Sequence, residues 1–365
     1  MRVLHYVDEN RLAWMVPWIQ LLKELEKHGV ENHVICRSGG TLSAGLAREN
    51  IAHSTYVPVA QWLPVIAYGM ERLIDRVKPA LIHTRLSAAA AIGGYWGRKK
   101  NVPVVSTFDK YPKAKYYRHS DVVIGCSSAV TAHIRSLKLN RAFLTETILN
   151  PVLSENYVRN AETRRQFRRQ LSVHGDETVI LGMGRLVGWK AWDDYLRAVA
   201  LLPKKLKAHF WLVGSGDEEK KLRDLAAKLG IQNRVRFFPF AADVRPWLWA
   251  ADLFVQSSKE PEGFSLMLIE AMAAGVVPIA TNIGGTLDIV KDGENGLLFR
   301  PSDVKFLSGL MMRGMDAALR QKLSENASKS AAEVSVSRIA VQTVALYKRT
   351  LQTADERALC TGKKS

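Results

Sequence analysis

The 365-residue chain is 47% hydrophobic and 24% charged, with a formal net charge of +17. Its length suffices for two ordinary domains with separate cores, and no apolar run approaches the roughly 18 residues needed to cross a bilayer. So strong a positive balance attracts polyanions such as nucleic acid, anionic lipid or phosphorylated glycans, without choosing among them.

Residues 3–7 read as a strand that runs straight into Asp8-Glu9, unlike a secretory signal, and a cytoplasmic protein is expected. A helix over 17–27 and a strand over 33–36 follow, then strands over 81–83, 104–108 and 122–126 with helical patterns between most of them. This alternation predicts a parallel sheet covered on both faces. The pattern pauses near Asn150-Pro151-Val152, and the polar, basic stretch 154–176 reads as a connection between domains. A second series places strands over 179–183, 210–213, 235–238, 253–256 and 277–280, with helices over 192–202, 218–229, 244–251 and 266–274. Two doubly wound α/β domains facing across a cleft are expected, over 1–160 and 161–340, with a helix and basic tail, 341–365, packing back toward the first.

Cys36, Cys126 and Cys360 form no CxxC pair, so reduced, buried thiols are expected rather than a disulfide framework or a zinc site. Basic residues gather in Arg98-Lys99-Lys100, in 110–119, where lysines interleave with tyrosines, and in Arg164-Arg165-Gln166-Phe167-Arg168-Arg169. The middle run suits an anionic membrane surface, stacked bases or a plain solvated face.

Ligands of doubly wound sheets bind beyond the carboxyl ends of the strands, and every motif of the second half falls in such a loop. Gly184-Arg185-Leu186-Val187-Gly188-Trp189-Lys190 offers a guanidinium fork and an ammonium that either neutralise a pyrophosphate without a metal or stay as solvated charges. Gly214-Ser215-Gly216-Asp217 is a loose phosphate turn or a tight strand-to-helix turn with Asp217 capping the next helix. Glu262-Gly263-Phe264-Ser265-Leu266 enters a helix that Ser265 is placed to cap and Gly275 to end, with Glu270 about a turn and a half inside. Its free amides favour an anion beside the two carboxylates, which describes a pocket for something polyhydroxylated and negatively charged. Gly284 and Gly285 would let backbone approach a ligand closely.

Together, Gly184-Arg185-Leu186 with Lys190, the stretch EGFSLMLIEAMAAG from Glu262, and IGGTLDIVKDGENGLLF from Ile283 resemble the retaining GT-B glycosyltransferases of family 4, glycosyltransferase group 1, in particular the lipopolysaccharide-core or glycolipid type. Ser127-Ser128-Ala129-Val130 and Asn150-Pro151-Val152 extend the resemblance through the first half, which it implies binds the acceptor while the second binds the nucleotide sugar. It further implies that Arg185 and Lys190 hold the diphosphate and stabilise the leaving group, that Glu270 accepts from ribose hydroxyls, and that Glu262 contacts the donor sugar near the reacting carbon. Gly184 and the amides of Gly263, Phe264, Ser265 and Leu266 would complete the donor site. Neither metal nor cofactor is required, the nucleoside diphosphate sugar being a co-substrate.

The chain departs from that pattern twice. Relatives carry Thr-x-His where Ser106-Thr107-Phe108-Asp109 stands, so Asp109 either replaces the His at the catalytic site or marks a shifted alignment. The glycine-rich loop after the first strand is missing, and Asn10 or Arg11 is left to substitute; His83 and His133, in apolar settings, read as structural. The reading is a hexosyltransferase using a uridine-linked donor and a glycan or lipid-linked acceptor, cytoplasmic or peripheral on the inner membrane face. Alternatives are a GT-B nucleotide-sugar epimerase, a phosphorylase with pyridoxal phosphate, or a non-catalytic sugar-nucleotide or nucleic-acid binding module.

Overall fold

The computed structural model describes residues 1–12, 14–60, 63–139, 141–175 and 177–360. The chain forms two compact units, residues 1–151 with 336–365, and residues 152–335. The first unit holds β1 (Arg2–Val7), α1 (Met15–Lys27), β2 (Glu31–Cys36), α2 (Gly40–Arg48), β3 (His53–Thr55), α3 (Met70–Val77), β4 (Leu81–Arg85), α4 (Ser87–Lys99), β5 (Val104–Phe108), β6 (Val122–Gly125), α5 (Ser128–Ser136) and β7 (Leu144–Thr147). Its strands pair in parallel in the order β3-β2-β1-β4-β5-β6-β7. The second unit holds α6 (Ala161–Gln170), β8 (Thr178–Met183), α7 (Trp192–Leu201), β9 (Ala208–Val213), α8 (Glu219–Lys228), β10 (Val235–Phe238), α9 (Arg245–Ala250), β11 (Leu253–Gln256), α10 (Leu266–Ala273), β12 (Val277–Thr281), β13 (Leu297–Phe299), α11 (Val304–Gly314) and α12 (Ala317–Ala332). Its parallel sheet runs β10-β9-β8-β11-β12-β13.

Strands sandwiched between helices lose alternation, because both faces are buried. β4 buries all five residues, including His83, Thr84 and Arg85. Its polar groups are therefore paired: Thr84 Oγ1 meets Ser106 Oγ at 2.7 Å, and the His83 ring lies between Tyr347 Oη at 2.5 Å and Thr107 Oγ1 at 2.8 Å. Burial first, then the neighbouring His5 ring and the Arg85 guanidinium, lowers the His83 pKa well below its ordinary value, as befits a structural histidine. Tyr347 belongs to α13 (Val336–Cys360), which packs on α1 and buries Ile339, Ala340, Val344 and Leu346 in the first unit's core.

The unit boundaries at 151/152 and 335/336 differ from the 160/161 and 340/341 read from the sequence. The reason is the basic connection, which is not a loose linker. Arg164 Nη2 and Arg168 Nη1 donate to the two Asp252 carboxylate oxygens at 2.7 and 3.1 Å, and Phe167 meets the Trp247 ring edge. The third basic run is thus a docking face onto α9. Two of the three tyrosines of 110–119 pack on neighbouring rings, Tyr117 stacking on Phe108 at 3.7 Å and Tyr111 meeting the His133 ring, so the run does not present a row of rings to bases. Cys36 and Cys126 are buried and form no disulfide among the described residues, while the Cys360 thiol and the tail beyond it fall outside them. No described helix is long and apolar enough to cross a membrane.

Candidate active site

In the second sheet the direction of strand addition reverses between β8 and β11, so the loops leaving their carboxyl ends diverge and open a crevice. These loops carry Arg185 to Lys190 and Glu262. Across the crevice Lys190 Nζ donates to Glu262 Oε1 at 2.7 Å, and Ser258 Oγ donates to the same oxygen at 2.6 Å. Both charged side chains are mostly enclosed, each about 14% exposed, which strengthens their attraction relative to a surface pair. Arg185 is exposed, and its guanidinium stands 5.6 Å from the Trp189 ring, which Lys190 Nζ also approaches at 4.6 Å. One indole therefore spaces two cations at the mouth of β8.

The loops are stitched together by their backbones. Ser257 Oγ donates to Lys190 O, Lys259 N to Trp189 O, and Thr281 Oγ1 to Ser258 O. Gly284, at φ +55°, has room for no side chain, since a Cβ would lie 2.5 Å from Glu262 O; next to it Gly285 N donates to that same oxygen. These glycines bring backbone up to the segment that carries Glu262. Gly214 likewise packs against Gly184 O and Gly216 against Leu186 O, so the 214–217 loop is a tight turn; no side chain caps α8. Gly284→Ala should cost about 1–3 kcal/mol in urea denaturation and lower transfer, because both strain and the clash fall on the segment carrying Glu262.

Ser265 occupies the N-cap position of α10 without capping it. Its hydroxyl donates instead to Gln256 Oε1 at 2.6 Å, and Gln256 Nε2 donates to Thr286 Oγ1 at 3.2 Å. The bond to Gln256 turns the Ser265 side chain away from the helix axis, so its oxygen accepts from no helix amide and the first-turn amides stay open to an anion. Gly275, at φ +68°, ends the helix as expected. Glu270 is not bonded to Lys190 or Glu262; it shares a hydrogen bond with Tyr157, and burial raises its carboxyl pKa to about 7.

In the first unit Asp109 follows β5 and is held by Arg85 at 2.5 Å, with Arg85 also donating to Asn150 Oδ1 at 2.6 Å and lying 4.1 Å from the Trp14 ring centre. Asp109 is thus engaged as an ion-pair partner. After β1, Asp8 accepts two bonds from Arg37, at 2.9 and 3.0 Å. Asn10 gives its backbone oxygen to Leu42 N, and Gly40, at φ +80°, packs against that oxygen, so Gly39-Gly40 after β2 let that turn sit close against the loop after β1. Sequence reasoning missed Gly39-Gly40 although two glycines after a strand were visible; it had no signal for Arg85 or Tyr157. His133 Nε2 lies 3.1 Å from Pro112 O, a structural contact.

A model for glycosyl transferases group 1 matches residues 163–330, and one for glycosyltransferase family 4 matches 18–152. The chain is 28% identical over 314 residues to the lipopolysaccharide core biosynthesis glycosyltransferase LpsE of Rhizobium meliloti, covering 84% of this chain and 87% of that one. It is 30% identical over 288 residues to D-inositol 3-phosphate glycosyltransferase 2 of Catenulispora acidiphila, covering 73% and 67%. Among solved structures, Anabaena Alr3699/HepE in complex with UDP superposes with a TM-score of 0.84 at 22% identity, over 96% of this chain and all of that one. That likeness is one of fold, two Rossmann-like domains of the GT-B type.

Proposed function

Since the chain belongs to the group 1 glycosyl transferases, we propose that it moves a hexosyl unit from a UDP-sugar to a glycan or lipid-linked acceptor such as lipopolysaccharide core, with retention of anomeric configuration. The observation that carries the reading is the Lys190–Glu262 pair across the switch-point crevice, with Arg185 beside it and an uncapped helix start next to it. Breaking the bond between an anomeric carbon and a diphosphate needs the departing negative charge offset and the sugar held. Arg185, Lys190 and the amides from Gly263 to Leu266 do the first. Glu262 does the second, releasing or sharing Lys190 as the donor arrives. No metal is needed for that charge, and the leaving phosphate takes the acceptor's proton, so no protein base is required.

The acceptor follows from two supports. LpsE acts in lipopolysaccharide core biosynthesis, and Val59 and Tyr68 of the first unit are 81% and 72% exposed, apolar groups of the kind that an amphiphilic acceptor would meet. Thermal shift with a panel of UDP- and GDP-sugars tests the donor, since a ligand of the native state raises Tm. A chain that responds to none of them would contradict the assignment, and NMR of the product's anomeric proton decides retention.

Glu270 gives this reading a pH signature. Its folded pKa, about 7, lies above the ordinary 4.5, so the folded state holds a proton that the unfolded chain lacks between those values. Stability from this group therefore falls as pH rises through that window. Glu270→Gln should flatten the profile and gain about 1–2 kcal/mol above pH 7, the full shift being discounted because part of the residue reaches solvent. Ribose hydroxyls donate to the ionised form, so wild-type UDP affinity should climb several-fold from pH 6 to 8 relative to Glu270→Gln in calorimetric titrations. Parallel profiles in the two proteins would remove Glu270 from the nucleotide site.

A further inference from the structure

The first unit has a second concave feature, at the opposite edge of its sheet from Asp8, Arg85 and Asp109. Asp121 and Arg141 precede β6 and β7, Arg98 ends α4, and Lys138 follows α5, all at the amino ends of the strands. There a cavity of about 620 Å³ is lined by Arg98, Lys115, Arg118, Lys138, Arg141 and Arg357. We propose that this is a binding site for a compact cluster of phosphates, separate from the nucleotide-sugar crevice and independent of the reading given to that crevice.

The charges are poorly compensated. Arg141 pairs with Asp121 at 2.8 Å, whereas Arg98, Lys115, Arg118 and Lys138 have no carboxylate partner among the described residues. Cations at helix C-termini commonly answer the helix dipole, and α4 and α5 both end here. Two termini of about half a charge each leave most of the charge of Arg98, Lys115, Arg118 and Lys138 unanswered. His119, whose flank packs on Gly94, records the resulting field: burial first, then Arg118, Arg98 and Arg141 lower its pKa. Like charges crowd together against their own repulsion, and a multiply charged anion relieves that repulsion at every contact. The volume lies within the range of about 300–1,000 Å³ usual for small-ligand sites, larger than one phosphate needs.

The test is calorimetric titration of sodium tripolyphosphate into the full chain at about 0.15 M salt, where screening removes diffuse attraction. Saturable binding is expected, weakened at least tenfold in Arg98→Glu/Lys138→Glu. Both side chains are exposed and off the core, and an unchanged Tm with an unchanged UDP titration shows that the variant is folded and its crevice intact. Vesicles containing phosphatidylglycerol separate the sources: binding to them that tripolyphosphate displaces assigns a lipid phosphate, and tripolyphosphate binding alone assigns a soluble phosphorylated ligand. Absence of saturation, equal affinity in the variant, displacement of tripolyphosphate by UDP, or preference for a nucleic acid would each overturn the site.

Discussion

Lys190→Ala should lower turnover of the nucleotide sugar by about 10²–10³-fold, in line with the loss of one preorganised group that faces developing charge. Two effects combine in that number. The ammonium is the enclosed cation of the crevice, so without it the departing diphosphate must be stabilised by exposed Arg185 and the α10 amides. Lys190 also anchors Glu262 at 2.7 Å, so its removal frees the carboxylate that should hold the sugar. A cycle with Glu262→Ala separates these roles. If each residue acts only by itself, the double variant loses the product of the single losses; if Lys190 works mainly by placing Glu262, it loses little more than either. Single-turnover release of UDP reads this without knowledge of the acceptor. Retention of more than a third of wild-type turnover in Lys190→Ala would remove the cation from the reaction.

Asp252→Ala should destabilise the second unit by about 3–5 kcal/mol, the range for breaking a buried charge network by removing one partner. The Asp252 carboxylate accepts from Arg164, Arg168 and the Val179 amide. Burial alone would raise its pKa, but Arg164, that amide and Arg168 together outweigh burial and hold it below the ordinary value. A lowered folded pKa means stability that is present at neutral pH and lost as the solution is acidified through the folded value. Arg164 and Arg168 keep bonds to the carbonyls of Trp249, Ala250 and Ala251 at the end of α9, so they stay in place with their charge unanswered. Arg159, close by and crowded by Arg164, already has its pKa lowered to about 10, chiefly by burial. A urea midpoint unchanged from wild type would show that the carbonyls alone satisfy these arginines; the conservative Asp252→Asn should cost less than Ala because one acceptor remains.

The repeating strand and helix were legible because burial on both faces writes uninterrupted apolar runs such as 179–183 and 276–280. β3 and β7 were not, being short edge strands, half exposed and without that signature. α12 buries only Leu323, Ala327 and Ala331 of its sixteen residues, a stripe too thin and too small to stand out. In the site, Glu262 and Lys190 could be brought together because both follow strands that a doubly wound order makes neighbours. Arg85 and Asp109 also meet at the carboxyl ends of neighbouring strands, β4 and β5, but an arginine closing a buried strand carries no motif; the engagement of Glu270 in α10 by Tyr157 depends on packing rather than on strand order. Ser265 was misread for a related reason: capping is the local choice, whereas its hydroxyl is drawn to Gln256, buried opposite it on β11.

Helix α13 returns to the first unit after the whole second unit has been made, and there Tyr347 meets His83, 264 positions earlier. On the ribosome this inverts the usual order. The second unit is continuous and can close once residue 335 has emerged, whereas the first must wait with part of its core open until the last helix arrives. At roughly 5–20 residues per second that delay is on the order of ten seconds or more, during which the waiting sheet is the segment most in need of chaperone cover.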